Sequence, residues 1–169
     1  VRRFIFVADR GLFSFSNLDY IRHQQGEFIV GLKIGAMKEV FQQEAYNLQL
    51  FEQINENLAV YETSLGADRC IITWSKVRAD RDKKVREEVL DKIRKKLAAK
   101  KSKTKDFITN TNYKKYLRLN EKNSMPELNT QAIEQEAAKD GFFGIITNVR
   151  NMSKQDLVTH YKQLWKIED

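Results

Sequence analysis

Two acidic residues stand where they could do chemistry. Asp9 follows the apolar run Phe4-Ile5-Phe6-Val7-Ala8, and a carboxylate past the carboxyl end of a buried strand borders the crevice where open α/β sheets hold ligands. The tripeptide Asp9-Arg10-Gly11 also has turn-forming composition, so the same side chain can instead do no more than cap a turn. Glu168 falls within about 20° of Leu157 on a helical wheel, between Tyr161 and Leu164. A carboxylate on an apolar helix face is costly unless it is paired, hydrogen-bonded or bound to a cation; the alternative is a frayed helix end that reaches water. Carboxylates from separate elements can hold two divalent cations, one activating the attacking oxygen and one stabilising the leaving oxygen in a displacement at phosphorus. Two acids are too few for that geometry. Asp140 is a poor third candidate, because Asp140-Gly141 ahead of an apolar run has the composition of a turn.

Other residue types carry less. His23 and His160 lack the neighbouring Cys or His of a zinc site and are expected on helix surfaces. Cys70, the lone cysteine, lies in the apolar run Cys70-Ile71-Ile72 and reads as a small buried hydrophobe, in keeping with a reducing cytoplasm. Trp74 and Trp165 could stack on a base, but their positions in a hairpin and on an apolar helix face favour the core. Lys76, Arg78, Arg81, Lys84, Lys95 and Lys96 lie along a basic helical stretch that can follow a phosphate backbone. Glu87, Glu88 and Asp91 interrupt it, as on an ordinary solvated helix face.

The elements that would position these residues follow from periodicity. Phe4 to Ala8 is a continuous apolar run, which predicts a strand covered on both faces, as in the centre of a parallel sheet. Ser16 or Asn17 can cap a short helix carrying Leu18 and Ile21 inward, Gly26 can end it, and Phe28 to Leu32 forms a second strand, completing a βαβ unit. Beyond Gly35 come a short helix near Met37 to Phe41 and two strands, Leu58 to Leu65 and Arg69 to Trp74, joined as a hairpin through Gly66-Ala67-Asp68. Val85, Val89, Ile93 and Leu97, with Leu90, mark an amphipathic helix starting near Asp80. Thr130 can cap a helix through Ala138, Phe142 to Thr147 is a strand, and Ser153 with Asp156 forms a capping box for a last helix bearing Leu157, Tyr161, Leu164 and Trp165. This pattern divides the chain into an α/β core, 1–34 and 129–169, and an α+β insertion, 35–128, that carries the hairpin and the long basic helix.

The 169 residues suffice for one domain with an insertion, and no apolar run approaches bilayer length. A net charge of +7 favours polyanionic partners. The sequence opens at Val1 on a strand and closes at Asp169 within a helical pattern, so both ends read as cuts through a longer protein.

At Val7-Ala8-Asp9-Arg10-Gly11-Leu12 with Asn17, at Asp140 to Asn148, and at Tyr161-Lys162-Gln163-Leu164-Trp165-Lys166-Ile167-Glu168, the sequence resembles bacterial insertion-sequence transposases of the Asp-Asp-Glu class. The stretch Ser75 to Ala79 leading to Asp82 and Arg86 is similar to the basic helical insertion of one branch of that family. The resemblance implies a ribonuclease-H-like catalytic core, with Asp9 as the second Asp and Glu168 as the closing Glu of the triad. It makes Tyr161, seven positions before Glu168, an auxiliary residue alongside Arg10 and Asn17, and puts the first Asp upstream of Val1. It further implies magnesium or manganese as cofactor, cleavage and strand transfer of DNA, a homodimer assembled on transposon ends and target, no membrane association, and a bacterial cytoplasmic, nucleoid-associated location. Without the first Asp, this chain is expected to be inactive alone. Leu164 stands where the family often has an Arg, and that phosphate contact is left unassigned. The competing readings are a non-catalytic basic DNA-binding or assembly module on a decayed transposase fold, and an unrelated metal-dependent nuclease of the same fold.

Overall fold

The computed structural model describes residues 4–99, 107, 110–122 and 124–163. The chain forms two compact units, 1–76 with 142–169, and 77–141. The first is mixed α/β, built among the described residues on a six-stranded sheet whose strands lie in the order Ile5–Ala8, Glu27–Leu32, Phe142–Thr147, Asp68–Ser75, Leu58–Leu65, Glu52–Asn55.

Strand β1 (Ile5–Ala8), helix α1 (Phe15–His23) and strand β2 (Glu27–Leu32) make the expected parallel βαβ unit. Its punctuation differs from expectation by a residue or two. Ser14, not Ser16 or Asn17, caps α1, its Oγ accepting the Asn17 N–H at 3.1 Å, and the positive φ after the helix falls on Gln25 rather than Gly26. Ser14 wins because the 3-10 turn that follows Asp9 ends at Leu12 and starts the helix earlier. Strand β1 is also not central. It is the sheet edge, pairing only with β2 among the described strands, with Phe4 55% and Phe6 39% exposed. An apolar groove of about 330 Å³ opens there between β1 and α1, lined by Phe4, Phe6, Leu12, Tyr20 and Ile21.

After the short helix α2 (Glu39–Ala45) come β3 (Glu52–Asn55), β4 (Leu58–Leu65) and β5 (Asp68–Ser75). The hairpin forms as expected, with Gly66 at φ +61 in its two-residue turn. β5 pairs antiparallel with β8 (Phe142–Thr147) from Arg69 to Trp74, and β8 pairs with β2, so the hairpin extends the core sheet. The two compact units divide at 76 and 142, whereas the sequence pattern divides core from insertion at 34 and 129. The physical sign is the run Cys70-Ile71-Ile72, buried on both faces as only an interior strand can be. Phe28, Val30, Leu32, Cys70, Ile72 and Ile146 pack on one face with Leu18 of α1 and Ala45 of α2. Ile29, Ile71 and Ile145 pack on the other with Leu157, Val158 and Tyr161. Those last three belong to α6 (Lys154–Gln163), which the expected capping box starts: the Asp156 N–H donates to Ser153 Oγ at 3.0 Å and that hydroxyl donates back to Asp156 at 2.8 Å.

The second unit holds most of α3 (Lys76–Ala98), then α4 (Thr111–Lys114), the strand pair β6 (Leu117–Leu119) and β7 (Pro126–Leu128), and α5 (Thr130–Ala137), capped by Asn129 rather than Thr130. Leu90, Ile93, Tyr113 and Tyr116 form its core. Helix α3 begins at Lys76, a turn before Asp80, and Val85, expected inward, is 54% exposed while Arg86 is buried. A four-residue recurrence drifts about 40° per step, so Val85 has rotated off the stripe that contains Ile93. Arg86 is neutralised by Asp140, which accepts from its Nη1 at 2.6 Å, and Asp82 accepts the Gly141 N–H at 3.1 Å. No helix among the described residues is long and apolar enough to cross a membrane.

Candidate active site

The carboxyl ends of the parallel strands β1 and β2 and the start of the antiparallel β8 lie at one edge of the sheet. Asp9 follows β1 there. It caps a 3-10 turn (Arg10–Leu12), Oδ1 accepting the Gly11 N–H at 2.7 Å. The turn-capping alternative is thus realised, yet it engages one carboxylate oxygen; Oδ2 makes no hydrogen bond with a described residue, and Asp9 is exposed. Asn17 steadies the far end of the same turn, its Nδ2 donating to the Leu12 carbonyl at 3.0 Å.

Tyr161, buried on α6, approaches this turn over Gly31 of β2. A Cβ placed on Gly31 would lie 2.7 Å from both the Arg10 backbone nitrogen and Tyr161 Oη, so those two atoms are no more than twice that distance apart. Glycine at position 31 lets the Asp9-Arg10 turn and the Tyr161 hydroxyl press on β2 together. Phe143 packs against the Tyr161 ring with centroids 5.1 Å apart. Two of the three sequence blocks that carry the family resemblance thereby meet. From the third, Asn148 clamps the start of β2, accepting the Phe28 N–H at 2.8 Å and donating to the Gly26 carbonyl at 3.1 Å.

Beside the turn lies a cleft of about 500 Å³ lined by Arg10, Lys33, Ile34, Tyr46, Phe142 and Phe143, among others. Lys33 was not singled out from the sequence. Its signal was the same as that of Asp9, an exposed polar residue directly after an apolar strand, and only the parallel pairing of β1 and β2 brings the two strand ends together. The cleft's two cations suit an anion such as phosphate.

Glu168 lies outside the described residues, as do Leu164 and Trp165. Asp140 is engaged by Arg86 and belongs to the turn, with Gly141 at φ 86. His23 and His160 are exposed on helices as expected, and Trp74 is half-buried on β5. Among the described residues no group of three His, Cys, Asp or Glu side chains could hold a metal ion. Burial, and then the charge of Asp68, push the Cys70 thiol up to about 12, the behaviour of a core residue.

Of the basic candidates, Lys76, Arg81, Lys84, Lys95 and Lys96 are exposed on α3 and Arg78 is half-buried. Charge is divided unevenly along the chain. Segment 77–141 has eighteen Lys and Arg against eleven Asp and Glu, while the remainder has twelve of each, so the whole surplus of seven resides in the second unit. Comparisons with family models, curated proteins and solved structures each returned no match.

Proposed function

We propose that this chain is part of the ribonuclease-H-like catalytic core of a DNA transposase of the Asp-Asp-Glu class, acting by metal-dependent phosphoryl transfer. The observation that carries the reading is the meeting of the Asp9 turn with Tyr161 at Gly31, on the carboxyl edge of the sheet. Residues far apart in sequence, picked out by one family pattern, converge where open α/β sheets do chemistry. The edge of β1 left unpaired among the described strands supports it too, since a strand bearing the first Asp needs a place in this sheet.

The donor set fits a hard divalent cation in part. Asp9 offers one uncommitted carboxylate oxygen, and the family pattern would make Glu168 the second ligand; a further acid is required from outside the described residues. Magnesium or manganese bound there would polarise the phosphodiester and activate the attacking oxygen. The chain's own residues do the rest. The Gly11 N–H and Asn17 hold the Asp9 turn, Tyr161 and Gly31 set its distance from β2, and Arg10 and Lys33 offer charge to a phosphate in the cleft. Asp9→Ala and Glu168→Ala, made separately in the reading frame that carries this chain, should each abolish manganese-dependent nicking of DNA bearing the element ends while end binding is retained. Nicking that survives both substitutions would end the proposal.

One observation favours the second reading, a basic DNA-binding or assembly module without catalysis: the surplus charge lies wholly in segment 77–141, the unit that does not contain Asp9. Under that reading neither substitution changes anything that DNA binding reports, and no nicking is seen in any variant.

A further inference from the structure

We infer that the outward face of α3 is a docking surface for the two phosphate walls of a DNA duplex groove; the choice of DNA as polyanion rests on the transposase reading. At 100° per residue, Arg81, Lys84, Lys92 and Lys95 share an arc of about 80°, opposite the arc of Arg86, Leu90 and Ile93 that α3 buries. All four are exposed.

Several other cations of this unit are engaged internally. Arg94 takes Asp91 at 2.8 Å and Glu87 at 3.7 Å, drawing both acids away from the stripe. Lys96 sits 5.0 Å over the Tyr113 ring, Lys115 lies 4.7 Å over Tyr116 and 3.4 Å from Glu136, and Arg118 binds Glu127 at 2.7 Å. Among the described residues Lys84, Lys92 and Lys95 make no ion pair, and Arg81 reaches Asp82 only at 3.8 Å. The stripe therefore offers charge that its own unit leaves uncompensated.

Its spacing selects the partner. The pairs Arg81 with Lys84 and Lys92 with Lys95 stand eleven residues apart, about 16 Å along the axis. A major groove about 12 Å wide has a phosphate wall on either side, and each pair meets one wall. Glu88, midway between the outer cations and on the same arc, falls over the gap between the walls, where a carboxylate is tolerated. A helix with cations at both ends and an acid at its middle complements two separated rails of charge better than a single continuous one.

The test uses the 169-residue chain with no divalent metal, and reads fluorescence anisotropy on a short duplex and on one of its strands across a salt series. Replacing Arg81, Lys84, Lys92 and Lys95 together by Gln should flatten the slope of log K against log salt for the duplex by about 3 to 4. The same number of Gln replacements at Lys38, Lys83, Lys114 and Lys122, all exposed and off the stripe, should flatten it by less than about 1. Lys95→Gln alone lowers the slope and Lys96→Gln does not. Unchanged far-ultraviolet circular dichroism and melting show that the variants fold. Equal flattening in both quadruple variants, or a single strand bound as tightly as the duplex, overturns the assignment. Because no metal is present, that failure leaves the catalytic reading standing, and loss of the catalytic reading in the nicking assay leaves this face standing.

Discussion

Gly31→Ala puts the geometry of the Asp9 turn to a quantitative test. The added methyl would sit 2.7 Å from the Arg10 nitrogen, 2.7 Å from Tyr161 Oη and 3.1 Å from Arg10 Cα. Two of these three atoms are backbone, so rotation of a flexible side chain cannot relieve the clash. Overpacking of this kind costs about 1–3 kcal/mol, and rigid backbone neighbours put this site in the upper half of that range. Alanine regains about 0.5–1 kcal/mol over glycine within a regular element, leaving a net loss of about 1–2.5 kcal/mol. Urea denaturation should show this as a lower midpoint at unchanged slope. In a Tyr161→Phe background one obstructing atom is gone, so Gly31→Ala should cost less there, with a coupling of about 0.5–1 kcal/mol in the double-mutant cycle. The Gly11 amide, held by Asp9 Oδ1, should also shift in the nuclear magnetic resonance spectrum of the single variant. A loss below about 0.5 kcal/mol with no coupling to Tyr161 would refute the claim that β2, the turn and α6 are in enforced contact.

Two further outcomes concern the second unit. The Arg86 and Asp140 side chains are 8% and 16% exposed, so Asp140→Ala, which strands a buried guanidinium, should cost about 3 kcal/mol in urea denaturation. Arg86→Met with Asp140→Ala should recover most of it, and a single-variant loss below about 1 kcal/mol would contradict the pairing. Burial lifts the Glu136 carboxyl, but Lys139 at 2.9 Å and Lys115 at 3.4 Å pull it further down, for a net direction below the ordinary value. A depressed acid stabilises above its unfolded pKa and loses that contribution as pH falls through the folded one. The stability gap between wild type and Glu136→Gln should thus be open at neutral pH and close as pH falls below about 4.3; a gap independent of pH would show that the lysines do not act on this carboxyl.

Much of the fold was legible because it is local. The βαβ unit, the hairpin at Gly66, strand β8 and the capping box at Ser153 each announce themselves within a few residues, through period and turn chemistry. Asp9 was legible for the same reason, as the polar residue that ends an apolar run. What depended on pairing was not. The run Cys70-Ile71-Ile72 does not say which strand pairs with β5, and the apolar character of Phe4 to Ala8 is the same at a sheet edge as at its centre.

By itself, the amino-acid sequence determined which segments become strands and helices, where the chain can turn, and which acids and cations fall at element ends, since hydrophobic period and capping act over a few residues. Tertiary structure alone decided that Gly31 must lack a side chain, that Lys33 lines the same cleft as Arg10, that Lys96 is drawn to Tyr113 while Lys95 is left outward, and that Arg86 is buried against Asp140. Each of those is a relation between residues distant along the chain, set by sheet register and helix rotation, and no local window contains both members of the pair.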